Sequence, residues 1–199
     1  GAISGGLALT PEDVHLSYLP LAHMFEVAVQ NMMSAHGGAV GFFQGDTLKL
    51  TDDIAALRPT IFPSVPRLYN RIYDKIMSGV QTQGGVKAFM FNQAYAAKKE
   101  GLKAGVLTHG MWDPLVFKKV AARVGLDRCR LMVTGSAPIA GHVMEFLRIV
   151  FSCPVQEGYG QTECAAALSI THPNDLTVGH VGGPLPCNEV KLVDVADMG

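Results

Sequence analysis

RLMVTGSAPIAGHVMEFLRIVFSCPVQEGYGQTE, Arg130 to Glu163, decides the fold. Arg130 to Val133 reads as a strand, Thr134 to Pro138 as a tight loop and Ala140 to Val150 as a helix. Pro154 to Gln156 reads as a second strand that enters a glycine-bearing turn. The same alternation runs outward in both directions. Upstream, Val14 to Leu19, Ala39 to Phe43 and Thr60 to Phe62 are apolar strand candidates, with Ala39 to Phe43 read as buried. Met24 to His36 has apolar residues at helical spacing and ends at Gly37 and Gly38, as helix C-termini often do. Thr51 to Leu57 is a short helix with Asp52 and Asp53 in its first turn, where they suit the dipole.

Pro66 to about Met77 is a helix, Ser78 to Gly85 a polar loop, and Val86 to Lys103 a longer polar helix. Asp113 followed by Pro114 is a helix start, a capping side chain and then a proline at the first helical position, and that helix runs to Val124. Downstream, Ala165 to Ile170 and Glu189 to Val193 are further strand candidates. Strands alternating with helices predict an α/β fold, a mostly parallel sheet with helices on both faces.

The 199 residues are 48% hydrophobic and 17% charged. That balance fits buried parallel strands, or a piece of a larger protein whose remainder covers apolar surface. A chain of this length can bury roughly 70% of its unfolded surface. The formal net charge of -1 offers no general attraction for nucleic acid or an anionic membrane. Cys129, Cys153, Cys164 and Cys187 form no CxxC pair, so neither a zinc knuckle nor a redox motif is indicated. No apolar run reaches the ~18 residues that span a bilayer. The first ten residues, GAISGGLALT, carry no charged leader, and both ends read as interior sequence.

Three stretches can carry chemistry. EGYGQTE, Glu157 to Glu163, follows a strand and so lies at the carboxyl end of the sheet, where open α/β sheets bind ligands. Gly158 and Gly160 let backbone amides approach a nucleotide, Tyr159 offers a flat face for a base, Thr162 a hydroxyl for a phosphate oxygen, and Glu163 a hard oxygen ligand for Mg²⁺. Spacing alone also allows a turn with incidental polar residues. A dinucleotide fingerprint is excluded, because Glu163 stands where the third glycine belongs, and no GxxxxGK[ST] phosphate loop occurs.

VTGSAP, Val133 to Pro138, again follows a strand, and Gly135, Ser136 and Ala137 are small enough for a flat ring to lie on the backbone. GxSxG is not satisfied, so Ser136 is not read as a nucleophile. YLPLAHMFE, Tyr18 to Glu26, places His23 after a strand at the same sheet edge, where an imidazole can serve a carboxylate or phosphate or simply cap a helix. His23 and Glu26, three apart, are too few for a metal site. Lys98, Lys99 and Lys103 read as a solvated helix face, Met24, Met32 and Met33 as core filling, and Trp112 as a buried anchor.

In order and spacing these stretches resemble the adenylate-forming (AMP-binding) superfamily. RPTIFPSVPRLYNRIYDKI (Arg58 to Ile76), RLMVTGSAP (Arg130 to Pro138), EGYGQTEC (Glu157 to Cys164) and GHVGGPLPCNEVKLVDV (Gly179 to Val195) are similar to its long-chain fatty acyl-CoA synthetases in particular. The resemblance implies the central part of the N-terminal domain of such an enzyme. It implies ATP-dependent activation of a fatty acid to an acyl-adenylate, then thioester formation with CoA, with Mg²⁺ as cofactor.

It further implies that Gly135, Ser136, Ala137 and Pro138 pack against adenine with Tyr159 on the other side. Glu157, Gly158, Gly160 and Gln161 belong to the same nucleotide-binding turn. Thr162 contacts phosphate, Glu163 holds Mg²⁺, and His23 sits near the acyl carboxylate and α-phosphate. An acyl tunnel is expected among the apolar residues, with 179–183 nearby.

By the same resemblance, residues 1–199 form a partial adenylation domain. The family's phosphate loop is expected upstream, and its ribose-binding aspartate and lysine-bearing C-terminal domain downstream, so the segment alone should turn over little substrate. The expected partners are fatty acid, ATP and CoA, with no nucleic acid. The expected location is the cytosolic face of the endoplasmic reticulum, mitochondrial outer membrane or peroxisome, reached through segments outside these residues, themselves read as soluble. Two other readings compete: a non-catalytic acyl- or nucleotide-binding module, and the same chemistry on a medium-chain, aryl or amino acid.

Overall fold

Strands β1 (Val14–Ser17), β2 (Ala39–Phe42), β3 (Ile61–Ser64), β4 (Leu131–Thr134) and β5 (Val155–Tyr159) lie parallel in the order β2-β1-β3-β4-β5 in a computed structural model that describes residues 8–194. Two antiparallel strands, β6 (Ser169–Ile170) and β7 (Gly183–Pro184), extend the β5 edge into a seven-stranded sheet. The register decides where the turns go. Ser64 pairs with Thr134 and Thr134 with Glu157, so β3, β4 and β5 end nearly level, and the turns after β4 and β5 leave from one edge.

Side chains alternate across the sheet. Leu16, Phe62, Met132 and Val155 join the larger core, covered by α2 (Leu50–Leu57), α3 (Pro66–Gln83), α4 (Gly85–Lys103), α5 (Lys118–Val124) and α6 (Gly141–Phe151). Ile61 and Leu131 face the other way and pack on Val29 and Met33 of α1 (Met24–Ala35). Helices therefore lie on both faces, α1 on the second being the one helix there among the described residues. The Tyr69 hydroxyl of α3 donates to the Phe62 carbonyl of β3, which ties the thicker helical layer to the sheet.

Buried charges pin the strand starts and the helical layer. Asp13, at the entry to β1, accepts from the Thr60 hydroxyl at 2.7 Å, from the Thr10 amide at 2.8 Å and from the Arg130 guanidinium, whose Nε lies at 2.8 Å. One carboxylate thus joins the starts of three neighbouring strands. Arg148 of α6, almost fully buried, donates to the carbonyls of Val155 and Leu176 at 2.9 and 2.7 Å and fixes the 175–177 loop against β5.

Several sequence expectations change. β2 is an edge strand, and Phe42 is 72% exposed, because only β1 pairs with it among the described residues. The polar Ser78 to Gly85 segment is helical to Gln83, since serine, threonine and glutamine tolerate a helix. The break falls at Gly84 and Gly85, both with positive φ. The helix expected from Asp113 opens as a π-helical turn, Asp113–Phe117, before α5.

Ala165 to Ile170 is strand only at Ser169–Ile170. A 3₁₀ turn, Thr162–Cys164, and left-handed Ala165 and Ala166 precede it. Glu189 to Val193 is not a strand. No neighbour pairs with it among the described residues, and Leu192 is 92% exposed. Lys98 is not solvated either: it is 2% exposed, and its ammonium donates to Asp113 at 2.7 Å and to the Ser152 hydroxyl at 2.6 Å. Residues 1–7 and Val195, read above, lie outside the described residues. Among the described residues no helix is long and apolar enough to cross a membrane.

Candidate functional site

The turns after β4 and β5 touch each other. A Cβ added to Gly135 would lie 3.3 Å from the carbonyl oxygen of Gly158, and one added to Gly158 would lie 3.3 Å from the carbonyl oxygen of Ser169. At Gly160 there is no room for a side chain, because an added Cβ would fall 1.4 Å from the Ala166 carbonyl oxygen. Three backbone segments, at 135, 158–160 and 166–169, are thus packed through glycines. The first turn is sharp, and Ser136 adopts φ +71°.

Against this packed backbone opens a cavity of about 310 Å³ at the carboxyl ends of β4 and β5. That is the size and place expected of a small-molecule site in an open α/β sheet. One face of α1, from its cap His23 through Phe25 to Met32, closes it from the side. Gly135 and Ser136 line it from the β4 turn, and Gly158, Tyr159, Gly160, Gln161 and Thr162 from the β5 turn.

His23 is the N-cap of α1. Its Nδ1 accepts from the Phe25 amide at 3.4 Å, so in the neutral ring Nε2 carries the hydrogen. Tyr159 is 45% exposed, and its hydroxyl accepts from the Gln161 side-chain amide at 2.8 Å.

Four expected residues sit differently. Glu157 is buried, and its Oε1 accepts from the Ile139 amide at 3.2 Å, so it braces the 134–139 turn against β5 and does not line the cavity. Ala137 and Pro138 are exposed beyond the wall. Glu163 is exposed on the 3₁₀ turn beside Thr162, outside the wall, with no side-chain partner among the described residues. No cluster of three or more His, Cys, Asp or Glu able to hold a metal occurs among the described residues. Glu163 can therefore hold a divalent cation only as one carboxylate beside ligands from elsewhere, which is how Mg²⁺ is often held with substrate phosphates.

The structure adds residues that the sequence did not single out for the site. Thr134 and Ser169 line the cavity, are buried, and have hydroxyls without a partner among the described residues. Such groups are rare and mark places where a ligand or water completes the bonding. Thr134 lay in plain view inside VTGSAP; Ser169 had no signal, since only the β5–β6 pairing brings it to the wall. Met24 and Met32 are half-buried and line the cavity, Met32 also packing on the Val29–Met33 core, whereas Met33 is fully buried.

Behind α1, Glu26 turns away from His23 to accept from buried His15 at 3.0 Å and from Gln30 at 3.2 Å. Burial alone would raise the Glu26 carboxyl, but these hydrogen bonds and the His15 ring hold it below the usual glutamate value. The pair anchors the helix that carries His23 onto β1.

A parallel sheet with glycine-packed turns converging on one cavity is the architecture of an α/β domain with a small-molecule site at the carboxyl edge of its sheet. Residues 2–199 match the AMP-binding enzyme family, and the chain belongs to it. It is 52% identical over 190 residues to the rat protein named long-chain-fatty-acid–CoA ligase 5, covering 95% of this chain and 27% of that one. Over 186 residues it is 53% identical to the Arabidopsis thaliana protein named long chain acyl-CoA synthetase 6, peroxisomal, covering 94% and 26%. The chain thus spans about a quarter of the length of these relatives.

Among solved structures, the N-terminal domain of FACL13 from Mycobacterium tuberculosis superposes with a TM-score of 0.58 at 17% identity, covering 93% of this chain and 38% of that one. The o-succinylbenzoate CoA synthetase of Bacillus subtilis, solved with an acyl-adenylate intermediate, gives 0.57 at 16% identity, covering 93% and 29%. These two likenesses concern the fold.

Proposed function

We propose that this chain is the central part of the adenylation domain of a long-chain fatty acid–CoA ligase, and that the cavity between the 135–138 and 157–163 turns receives AMP and the activated acyl group. The observation that carries the reading is the packing of those two turns against each other at one mouth of the sheet, with His23 on the facing helix. The naming of the relatives at about 50% identity supports the choice of a long-chain fatty acid over a medium-chain or aryl acid.

In this reading the Gly135–Pro138 turn meets one face of adenine, Gly135 and Ser136 from the cavity wall and Ala137 and Pro138 from its exposed edge, and the Tyr159 ring meets the other. Thr162 donates its hydroxyl to phosphate. His23, with Nε2–H free to donate, stabilises the acyl carboxylate and α-phosphate as the carboxylate oxygen attacks phosphorus and pyrophosphate departs. The thiol of CoA then displaces AMP at the acyl carbon. Phe25, Met32 and Ala167 give the acyl end an apolar wall. Glu163 would hold Mg²⁺, whose charge offsets that developing on the phosphates.

The cavity wall contains no Lys or Arg among the described residues. Cationic groups for the triphosphate then come from the remaining length of the enzyme, and residues 1–199 alone turn over little substrate. Attachment to a membrane, on the cytosolic face of an organelle, likewise belongs to segments outside these residues.

Glu163→Gln in the full-length protein tests the assignment. Fatty acid-dependent exchange of pyrophosphate into ATP should fall by on the order of 10²-fold with folding unchanged. An unchanged exchange rate removes Glu163 from the mechanism.

A further inference from the structure

A second cavity, of about 390 Å³, lies within the helical layer between α3, α4 and α5 and shares no residue with the cavity at the sheet mouth. Its floor is apolar: Ile76, Val80, Phe91, Val116 and Val120. Its rim is cationic. Lys75 on α3, Lys87 on α4, and Lys119 and Arg123 on α5 all line it, no Asp or Glu does, and none of the four is in an ion pair among the described residues.

The groove runs along α3 from Lys75 to Gln83, about 12 Å at 1.5 Å per residue. Gly79 lies in the middle of that wall. A glycine inside a helix lowers its stability relative to alanine. Here φ is not positive and an added Cβ would meet nothing within 4 Å, so no local contact or backbone turn demands it. What the glycine leaves is open space in the groove.

We infer that the α3–α4–α5 groove is a second binding site, for a single-chain aliphatic carboxylate, with the chain on the Ile76–Phe91–Val120 floor and the carboxylate among Lys75, Lys87, Lys119 and Arg123. Four cations that pair with no acid among the described residues select an anion, and a concave apolar floor long in one direction selects an extended hydrocarbon over a flat lipid surface. The inference does not depend on the reading of the sheet-mouth cavity.

The full-length protein is titrated with cis-parinaric acid, a fluorescent long-chain carboxylate, with its methyl ester as the uncharged control. Gly79→Phe fills the groove from a position with no neighbours to displace. Lys75→Glu with Lys119→Glu reverses two exposed rim charges. The expected result is one equivalent of bound probe lost in Gly79→Phe, and on the order of tenfold weaker binding of that equivalent in the charge-reversal variant. The ester should fail to occupy it.

If the sheet mouth binds no acyl chain, the wild type shows one equivalent, still removed by Gly79→Phe; that result sinks the adenylation reading and leaves the groove intact. Unchanged stoichiometry with unchanged affinity in the charge-reversal variant overturns the inference. So does binding of ester and acid alike, and so does a response seen only with vesicles of anionic phospholipid, which would make this face a membrane contact. Should Gly79→Phe fail to fold, the charge-reversal variant decides alone.

Discussion

Replacing Gly160 with alanine puts a methyl carbon 1.4 Å from the Ala166 carbonyl oxygen, 2.5 Å from the carbonyl carbon of the same residue and 3.0 Å from the Ala167 Cα. Ordinary contact begins near 3.4 Å, so the 157–163 turn and the 165–167 segment must part by about 2 Å at their closest point. All the nearest neighbours are backbone, so no side chain can swing aside. Overpacking of this kind costs about 1–3 kcal/mol.

The functional loss should be larger than the stability loss. The displaced turn carries Tyr159 and Thr162, and a misplacement near 1 Å can cost about 10²-fold in rate. In the full-length protein, pyrophosphate exchange should fall by about 10²-fold or more, while urea denaturation shows a loss of about 1–3 kcal/mol. Gly135→Ala is the graded control: its added Cβ meets only the Gly158 carbonyl at 3.3 Å, so both losses should be smaller. Wild-type exchange and wild-type stability in Gly160→Ala would refute the claim that packed turns set the geometry of the cavity.

Asp113→Ala leaves the buried Lys98 ammonium without its carboxylate, and breaking one side of such a pair should cost about 3–5 kcal/mol in urea unfolding; a loss below about 1 kcal/mol would show that water reaches Lys98. Asp13→Asn addresses pH. Burial raises the Asp13 carboxyl, but hydrogen bonds from Arg130, the Thr10 amide and Thr60 outweigh it and hold the group well below the usual carboxylate range. A folded-state pKa below the unfolded value near 3.9 gives stability that is present above about pH 4 and lost as the pH falls below it. Wild-type stability should therefore drop in that acid window. Asp13→Asn should be less stable by about 1.5–3 kcal/mol at neutral pH and flatter below pH 4. Parallel acid profiles for the two proteins would remove Asp13 as the cause.

The parallel core of the fold could be read from the sequence because each of its elements carries its own signal. Asp113–Pro114 announces a helix start, Gly37–Gly38 a helix end, and short apolar runs ending at Pro20 or Gly135 announce buried strands. The errors fall where pairing or burial by distant residues decides. Ala165 to Ile170 and Glu189 to Val193 are both short runs rich in apolar residues, yet among the described residues only Ser169–Ile170 of the two finds a partner in β5. Lys98 lies in a polar helix and reads as solvated; a carboxylate 15 residues away and the Ser152 hydroxyl make its burial possible.

The site divides the same way. Gly135, Gly158 and Gly160 stand out as residues without side chains. That Glu157 faces Ile139 and not the cavity follows from strand alternation, since β5 runs on to Tyr159 and does not end at Gln156.

The composition of the cavity wall explains why so much of this site is backbone. Among the described residues that line it, His23 and the Tyr159 phenol are the ionisable groups. A wall without fixed charge avoids the desolvation penalty of buried ions. It leaves recognition to shape, to the peptide groups exposed by the glycines and to the unpartnered hydroxyls of Thr134 and Ser169. Peptide groups held by β4, β5 and β6 need little reorganisation when a ligand arrives, which is the property that makes preorganised dipoles effective in catalysis. Glu163 sits outside that wall. In the proposed reading such a wall suits a flat base and an aliphatic chain, with the charges that act on phosphate supplied from outside it.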